Sequence, residues 1–263
     1  MDALQREVEH IVASVKGRVS VVIENKKAAI AINGSERTTA ASTIKIPIIM
    51  EAFRQAENGD LDLKEKVQVT PDLKTGGDGV LKLLENELSL SILDLMKLMI
   101  VVSDNTASNL LITRLGFSNI NHLCEQLGCT NTRLNLYFMD FRARGAGVDN
   151  MTSARDMVAF LSEIEGGNFV NERSRKTIYN ILREQQFTSG LPAYNKNEDI
   201  LTANKPGMLP GIQHDVGIFK YRNETVYAAV LLSELNDEEA GRRAITDIGR
   251  SIIKFMKKEN ATK

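Results

Sequence analysis

The stretch Thr38–Phe53, TTAASTIKIPIIMEAF, decides how the rest of the chain is read. From Ser42 onward nearly every residue is apolar, the composition of a helix buried on most sides. Lys45 nevertheless stands inside it, one turn after Ser42. Residues three apart on a helix share a face, so the lysine amine can approach the serine hydroxyl. Pro47 fits a helix whose first turn lies close to Ser42, at the end where backbone N–H groups point outward and favour negative charge. Burial lowers a lysine pKa, as does a second cation nearby, and a neutral amine beside a hydroxyl can act as general base for a serine nucleophile. The plainer reading is a helix cap followed by a lysine whose head reaches back to water. A Ser-x-x-Lys match is expected about once in a chain this long, so the pair alone favours the plainer reading.

Composition bounds the rest. The chain has 263 residues, 43% of them hydrophobic, enough for a sizeable core in one large domain or two smaller ones. Its 33 basic and 34 acidic residues leave a net charge of −1, which gives no electrostatic footprint for nucleic acid or an anionic membrane. The longest apolar runs, LMIVV and YAAVLL, are far too short to span a bilayer. The N-terminal residues MDALQREVEHIVASVKG have helical apolar spacing with charges between, not the basic-then-apolar order of a leader. A cytoplasmic protein is therefore expected, or a secreted or envelope one if Met1 was added to a trimmed chain. Cys124 and Cys129 form no disulfide framework, and no Cys/His grouping has zinc-ligand spacing, so neither metal nor cofactor is expected.

Strand signals gather at the two ends: Val19–Glu24 and Ala28–Ile32 early, then Ile200–Met208, Asp215–Tyr221 and Thr225–Ser233 late. The turns between them are short, which implies antiparallel hairpins. Between the two groups the period is helical: Ile44–Glu57, Ser91–Val101, Thr106–Leu115, Asn119–Leu127, Ala154–Glu163 and Glu172–Arg183. A last amphipathic helix is expected over Asp237–Lys258. The pattern predicts an α/β (α+β) fold whose sheet is assembled from both termini around a helical insertion. The stretch Leu134–Asn150 has no sustained period and reads as a long loop, a feature often tied to function.

Two further motifs change the weight of the first. Ser103-Asp104-Asn105 lies between two apolar helical runs; it reads either as a cap or as a proton-relaying hydroxyl beside a substrate-holding amide. Downstream, Lys205-Pro206-Gly207 sits on a predicted strand, either as a surface lysine before a hairpin or as a cation beside a backbone a substrate can approach. His10 and His122 lie on amphipathic helices and read as surface residues. No nucleophile elbow, H-E-x-x-H, Walker loop or dinucleotide fingerprint is present.

Ser-x-x-Lys, Ser-Asp-Asn and Lys-x-Gly in this order resemble the motif set of class A β-lactamases and penicillin-binding proteins. Ser103 follows Ser42 by 61 residues and Lys205 follows it by 163, spacings similar to those of class A enzymes. The segments GVLKLL, LDLMKLMIVVSDNTASNLLI, LGCTNTRL, NMTSARDM and HDVGIF carry the likeness along nearly the whole chain. The resemblance implies a five-stranded antiparallel sheet flanked by helices, a subdomain of residues 1–37 plus 185–263, and an all-helical subdomain over 38–184. It implies a serine hydrolase in which Ser42 attacks a β-lactam amide and Lys45 is the base. Ser103 would relay a proton to the departing nitrogen, and Lys205 would lower its pKa and attract the substrate carboxylate. Asn105 would hold the side-chain amide, and Gly207, close to Lys205, would let the substrate backbone approach. The backbone N–H groups of Ser42 and Met208 would form an oxyanion hole, a contribution of about 3 kcal/mol per donor.

Three positions depart from the family pattern. The loop glutamate that activates water in class A enzymes is replaced by Phe138, and the nearby asparagine by Arg142. Asp140 is the nearest carboxylate and the candidate substitute, its alternative being a loop salt bridge with Arg142 or Arg144. Pro206 replaces a hydroxyl residue, and His214 stands near the usual arginine, where it would meet a carboxylate when protonated or serve structure. The expected partner is a small β-lactam or a related amide or ester, and the default oligomeric state is a monomer. The alternatives are an acyl trap or sensor that deacylates poorly, and an esterase or peptidase-like hydrolase acting on other substrates.

Overall fold

The computed structural model describes residues 1–195 and 200–261. Helix α1 (Asp2–Ala13) leads into strands β1 (Arg18–Glu24) and β2 (Ala29–Ile32). The short strand β3 (Thr38–Thr39) then enters a 3-10 turn at Ala41–Ile44 and helix α2 (Lys45–Asn58). Strands β4 (Lys66–Val69) and β5 (Leu88–Ser91) bracket a long excursion. After them come helices α3 (Ile92–Val101), α4 (Asn105–Leu115), α5 (Phe117–Gln126) and the short α6 (Phe141–Gly145). Strand β6 (Met151–Thr152) precedes α7 (Ala154–Gly166) and α8 (Glu172–Arg183). The chain closes with β7 (Leu201–Leu209), β8 (Ile212–Tyr221), β9 (Glu224–Ser233) and α9 (Glu238–Ala261).

The main sheet has five strands in the order β2-β1-β9-β8-β7, each pair antiparallel. Pairing of β1 with β9 joins the first and last strands of the chain, as the distribution of strand signals predicts. Alternation along each strand sorts side chains between two cores. Val21, Ile23, Val230 and Leu232 pack with Leu4 and Val8 of α1 and Ile248 and Ile252 of α9. Val22, Val216, Ala229 and Leu231 share a second core with Ile49 of α2 and Met157 and Phe160 of α7. Each buried aliphatic side chain contributes about 1.5–3 kcal/mol, and the sheet, apolar on both faces, ties the two layers together. Helices α2 and α7 therefore share the second core with the sheet.

Helix ends follow local chemistry. Ser91 and Asp94 form a capping box at α3, Asp104 caps α4, and Gly59, at φ +83°, ends α2 in the left-handed conformation. Pro47 falls in the first turn of α2, where its missing N–H costs nothing.

The sequence differs from the structure in detail. Ser42 lies in the 3-10 turn rather than in the helix, so Lys45 is the first residue of α2. The stretch Leu134–Asn150 is a closed loop and not a slack one. The Asn150 amide oxygen accepts from the Asn135 and Leu136 N–H groups at 2.7 and 3.0 Å, pinning the two ends together around α6. The small pairs β3–β6 and β4–β5 are too short to produce a readable alternation. Residues 196–199 and 262–263 of the expected sheet subdomain lie outside the described residues.

Candidate active site

The 3-10 turn brings Ser42 against the start of α2, and Lys45 projects back beneath it, fully buried. Four oxygens surround Lys45 Nζ: Ser42 Oγ at 3.1 Å, Ser103 O at 2.8 Å, Ser103 Oγ at 2.9 Å and Asn105 Oδ1 at 3.0 Å. An ammonium has three protons for these four acceptors, whereas a neutral amine can accept from the Ser42 hydroxyl. Burial, reinforced by the charge of Lys205, holds the Lys45 pKa well below the ordinary lysine value, against the pull of Asp78 and Asp104. The question the sequence raised therefore has a physical answer. Burial here favours the neutral amine, which lies beside the Ser42 hydroxyl.

Ser103 links this pair to the sheet. Its hydroxyl donates to Ser42 Oγ at 3.0 Å and accepts from Lys205 Nζ at 3.2 Å. Lys205 is fully buried on β7, where burial lowers its pKa to about 7, with Asp215 and then Asp78 opposing. Residues from the turn before α2, the link between α3 and α4, and the edge of the sheet thus form one continuous hydrogen-bonded chain. Ala41 and Ser103 adopt φ +46° and +56°, the left-handed strain that concentrates at working sites.

The geometry of β7 aims the neighbouring backbone. Its ladder with β8 runs unbroken through Pro206↔Asp215, although proline has no N–H to give, so the Pro206 nitrogen must face the outer edge. By the same two-residue parity the Met208 N–H faces outward too, into the cleft that Met208 lines. A Cβ at Gly207 would stand 2.9 Å from the Ser42 nitrogen, so only glycine leaves space between the strand and the turn. Both backbone donors border that space.

The cleft itself encloses about 190 Å³ and is lined by Ser42, Asn105, Phe138, Met208 and the 77–78 segment, among others. Asn105 is held by its neighbours: its N–H donates to Asp78 O at 3.1 Å and its Nδ2 to Gly76 O at 3.1 Å. Asp104 caps α4 through Ala107 N–H and takes the Val80 and Leu81 N–H groups on its other oxygen. The cap reading of this aspartate is therefore the one realised. The Phe138 ring covers Lys45, with Nζ 4.3 Å from the ring centre.

Two expected site residues have other employment. Asp140 is exposed, caps α6 by accepting from Ala143 N–H at 2.9 Å, and is absent from the cleft lining. Neither Arg142 nor Arg144 pairs with it; the partner of Arg144 is Asp149. His214 is buried with both ring nitrogens engaged. Leu232 N–H donates to Nδ1 at 3.1 Å, so Nε2 carries the proton and donates to Thr39 O at 2.8 Å. No ring atom is left for a substrate carboxylate, and burial depresses the His214 pKa further. The structural alternative fits His214.

The sequence did not single out Asp149, which lines the cleft together with Arg144. Its only sequence signal is its place beside Asn150, which closes the loop. Among the described residues, no group of three or more His, Cys, Asp or Glu side chains is arranged to hold a metal ion, and no helix is long and apolar enough to cross a membrane.

A family model described as the beta-lactamase enzyme family matches residues 3–256. A β-lactamase from Streptomyces fradiae is 28% identical over 240 residues, spanning 86% of this chain and 77% of its own. The structure of a β-lactamase from Sphaerobacter thermophilus DSM 20745 is 29% identical and superposes with a TM-score of 0.88, covering 96% of each chain. A variant of PBP-A, seen as an acyl-enzyme complex with penicillin G, is 26% identical with a TM-score of 0.88 over 98% of this chain and 97% of that one.

Proposed function

The chain belongs to the β-lactamase enzyme family, and from that membership we propose that it hydrolyses β-lactam amides through an acyl-serine formed at Ser42. The observation that carries this reading is the Lys45–Ser42–Ser103–Lys205 chain, whose neighbouring groups lie within 3.2 Å of one another. Ser42 Oγ attacks the lactam carbonyl carbon as its proton passes to neutral Lys45. The developing oxyanion is met by the Ser42 and Met208 N–H groups in the space left by Gly207. As the C–N bond breaks, Ser103 gives its proton to the departing nitrogen and is replenished from Lys45. Charged Lys205 draws in the substrate carboxylate, and Asn105 holds the acyl side-chain amide. The PBP-A variant, which carries penicillin G as an acyl-enzyme on a closely similar fold, supports the substrate class.

A second reading, an acyl trap that deacylates slowly, is favoured by one observation. An aromatic ring, Phe138, packs against Lys45 at the position where the resemblance to class A enzymes implies a water-activating glutamate. Intact-mass spectrometry during incubation with penicillin G tests both readings. A mass gain in the wild-type protein that Ser42→Ala abolishes is expected. Its decay on the time scale of turnover identifies a hydrolase, and its persistence a trap. If steady-state assays find no lactam consumption and no adduct forms, the β-lactam reading is wrong and esters or peptides become the substrates to try.

A further inference from the structure

An acyl-serine is an ester, and its hydrolysis needs a base that can take a proton from an attacking water. Lys45 is poorly placed for this second step. Four oxygens already surround its nitrogen, and the Phe138 ring covers it, leaving no face open to water. Ser103 is engaged with Ser42, Lys45 and Lys205. The carboxylates that line the cleft are Asp78 and Asp149. Asp78 is exposed, its backbone carbonyl accepts from Asn105 N–H, and although its charge acts on Lys45 and Lys205, no hydrogen bond or ion pair orients its side chain among the described residues.

Asp149 differs because it is held. Its side chain is 19% exposed, and Oδ1 accepts from Asn150 N–H at 2.8 Å and from Arg144 Nη2 at 3.4 Å. Among the described residues, Oδ2 has two longer neighbours, the ion-paired Arg144 Nε at 3.3 Å, which is not aligned for a hydrogen bond, and Thr39 Oγ1, which donates at 3.5 Å. One oxygen is thus anchored while the other keeps lone pairs to offer. The anchor connects to the nucleophile's own segment, since Thr39 and Ala40 lie just before Ser42 and Ala40 N–H donates to Asn150 O at 2.7 Å.

We propose that Asp149, through Oδ2, is the general base that activates water for hydrolysis of the Ser42 acyl-enzyme. The proposal rests on the acyl-serine reading above. The water oxygen bonds to the acyl carbonyl carbon as one water proton moves to Asp149 Oδ2. The tetrahedral intermediate then collapses with cleavage of the bond to Ser42 Oγ, and the proton held by Asp149 is returned to that oxygen. The products are the free acid and the serine hydroxyl.

The test follows acylation and deacylation separately by intact mass after penicillin G is mixed with the wild-type protein and with Asp149→Asn, Asp149→Ser, Asp149→Glu and Asp140→Asn. Thermal melts verify that each variant is folded. The expected result is that Asp149→Asn and Asp149→Ser acylate at the wild-type rate and hold the adduct about 100-fold longer or more. Asp149→Glu should recover part of the loss. Wild-type adduct lifetime in the Asp149→Asn protein overturns the proposal, as does equal slowing of both steps, the mark of a role confined to holding the loop. Prolonged adduct in Asp140→Asn alone transfers the role to Asp140 and overturns it. A wild-type adduct that never decays also overturns it while leaving acyl-serine chemistry intact. Absence of both adduct and turnover sinks the two proposals together.

Discussion

Lys205 shows how a single residue couples stability to chemistry. It is folded with a pKa of about 7 against an ordinary lysine value of 10.5, so between these pH values the unfolded chain binds the extra proton. Stability contributed by this site therefore rises as pH rises through that window, and the penalty is fully present below it. Lys205→Met removes the buried cation and should raise stability by about 1–4 kcal/mol near neutral pH. Urea melts at pH 7 and pH 10 should show the gain shrinking at the higher pH, while acylation by a carboxylate-bearing substrate falls. Ser42, Lys45, Ser103 and Lys205 could be picked out because three short motifs occur in one order along the chain, and the structure brings these four side chains together. The Phe138–Lys45 contact and the place of Asp149 were not legible, because they depend on how a loop folds back over a helix. His214 was only half legible: its position was plain, but the two backbone partners that occupy its ring come from two other strands, β3 and β9.

At the scale of elements, Asp104 is where a helix cap and a loop become one structure. It caps α4 and also satisfies Val80 and Leu81 N–H, while Gly79 comes so close that a Cβ would stand 2.3 Å from its carboxylate. Asp104→Ala should cost about 2–4 kcal/mol, combining a lost cap with two stranded donors. Because the 76–80 segment also holds Asn105, acylation should slow as well, and stopped-flow fluorescence alongside thermal denaturation would register both losses. The long helices were readable from their period, and the sheet strands from apolar runs bounded by turn signals, since the central strands are buried on both faces. The two-residue strands Thr38–Thr39 and Met151–Thr152 were not, since their register comes from what surrounds them. The 3-10 turn at Ala41–Ile44 escaped for a similar reason: its residues are as apolar as the helix that follows, and only backbone geometry separates them.

For the whole molecule, the sheet is the common wall of two cores, and the nucleophile stands on one side of a cleft whose other side is the edge strand β7. An edge strand with free N–H groups is a template on which a second chain can grow a sheet. Pro206 removes one such donor from the middle of the outer edge of β7. The residue that takes a hydroxyl and an N–H from the substrate side of the cleft thereby also withholds a rung from any neighbouring molecule. Pro206 is buried in the folded protein, so restoring the donor as Pro206→Thr should leave the monomer folded yet raise light scattering during slow heating at high protein concentration, when partial unfolding uncovers this stretch of the edge. The proline thus bears on how crowded a solution this protein tolerates, and not only on what its cleft will hold.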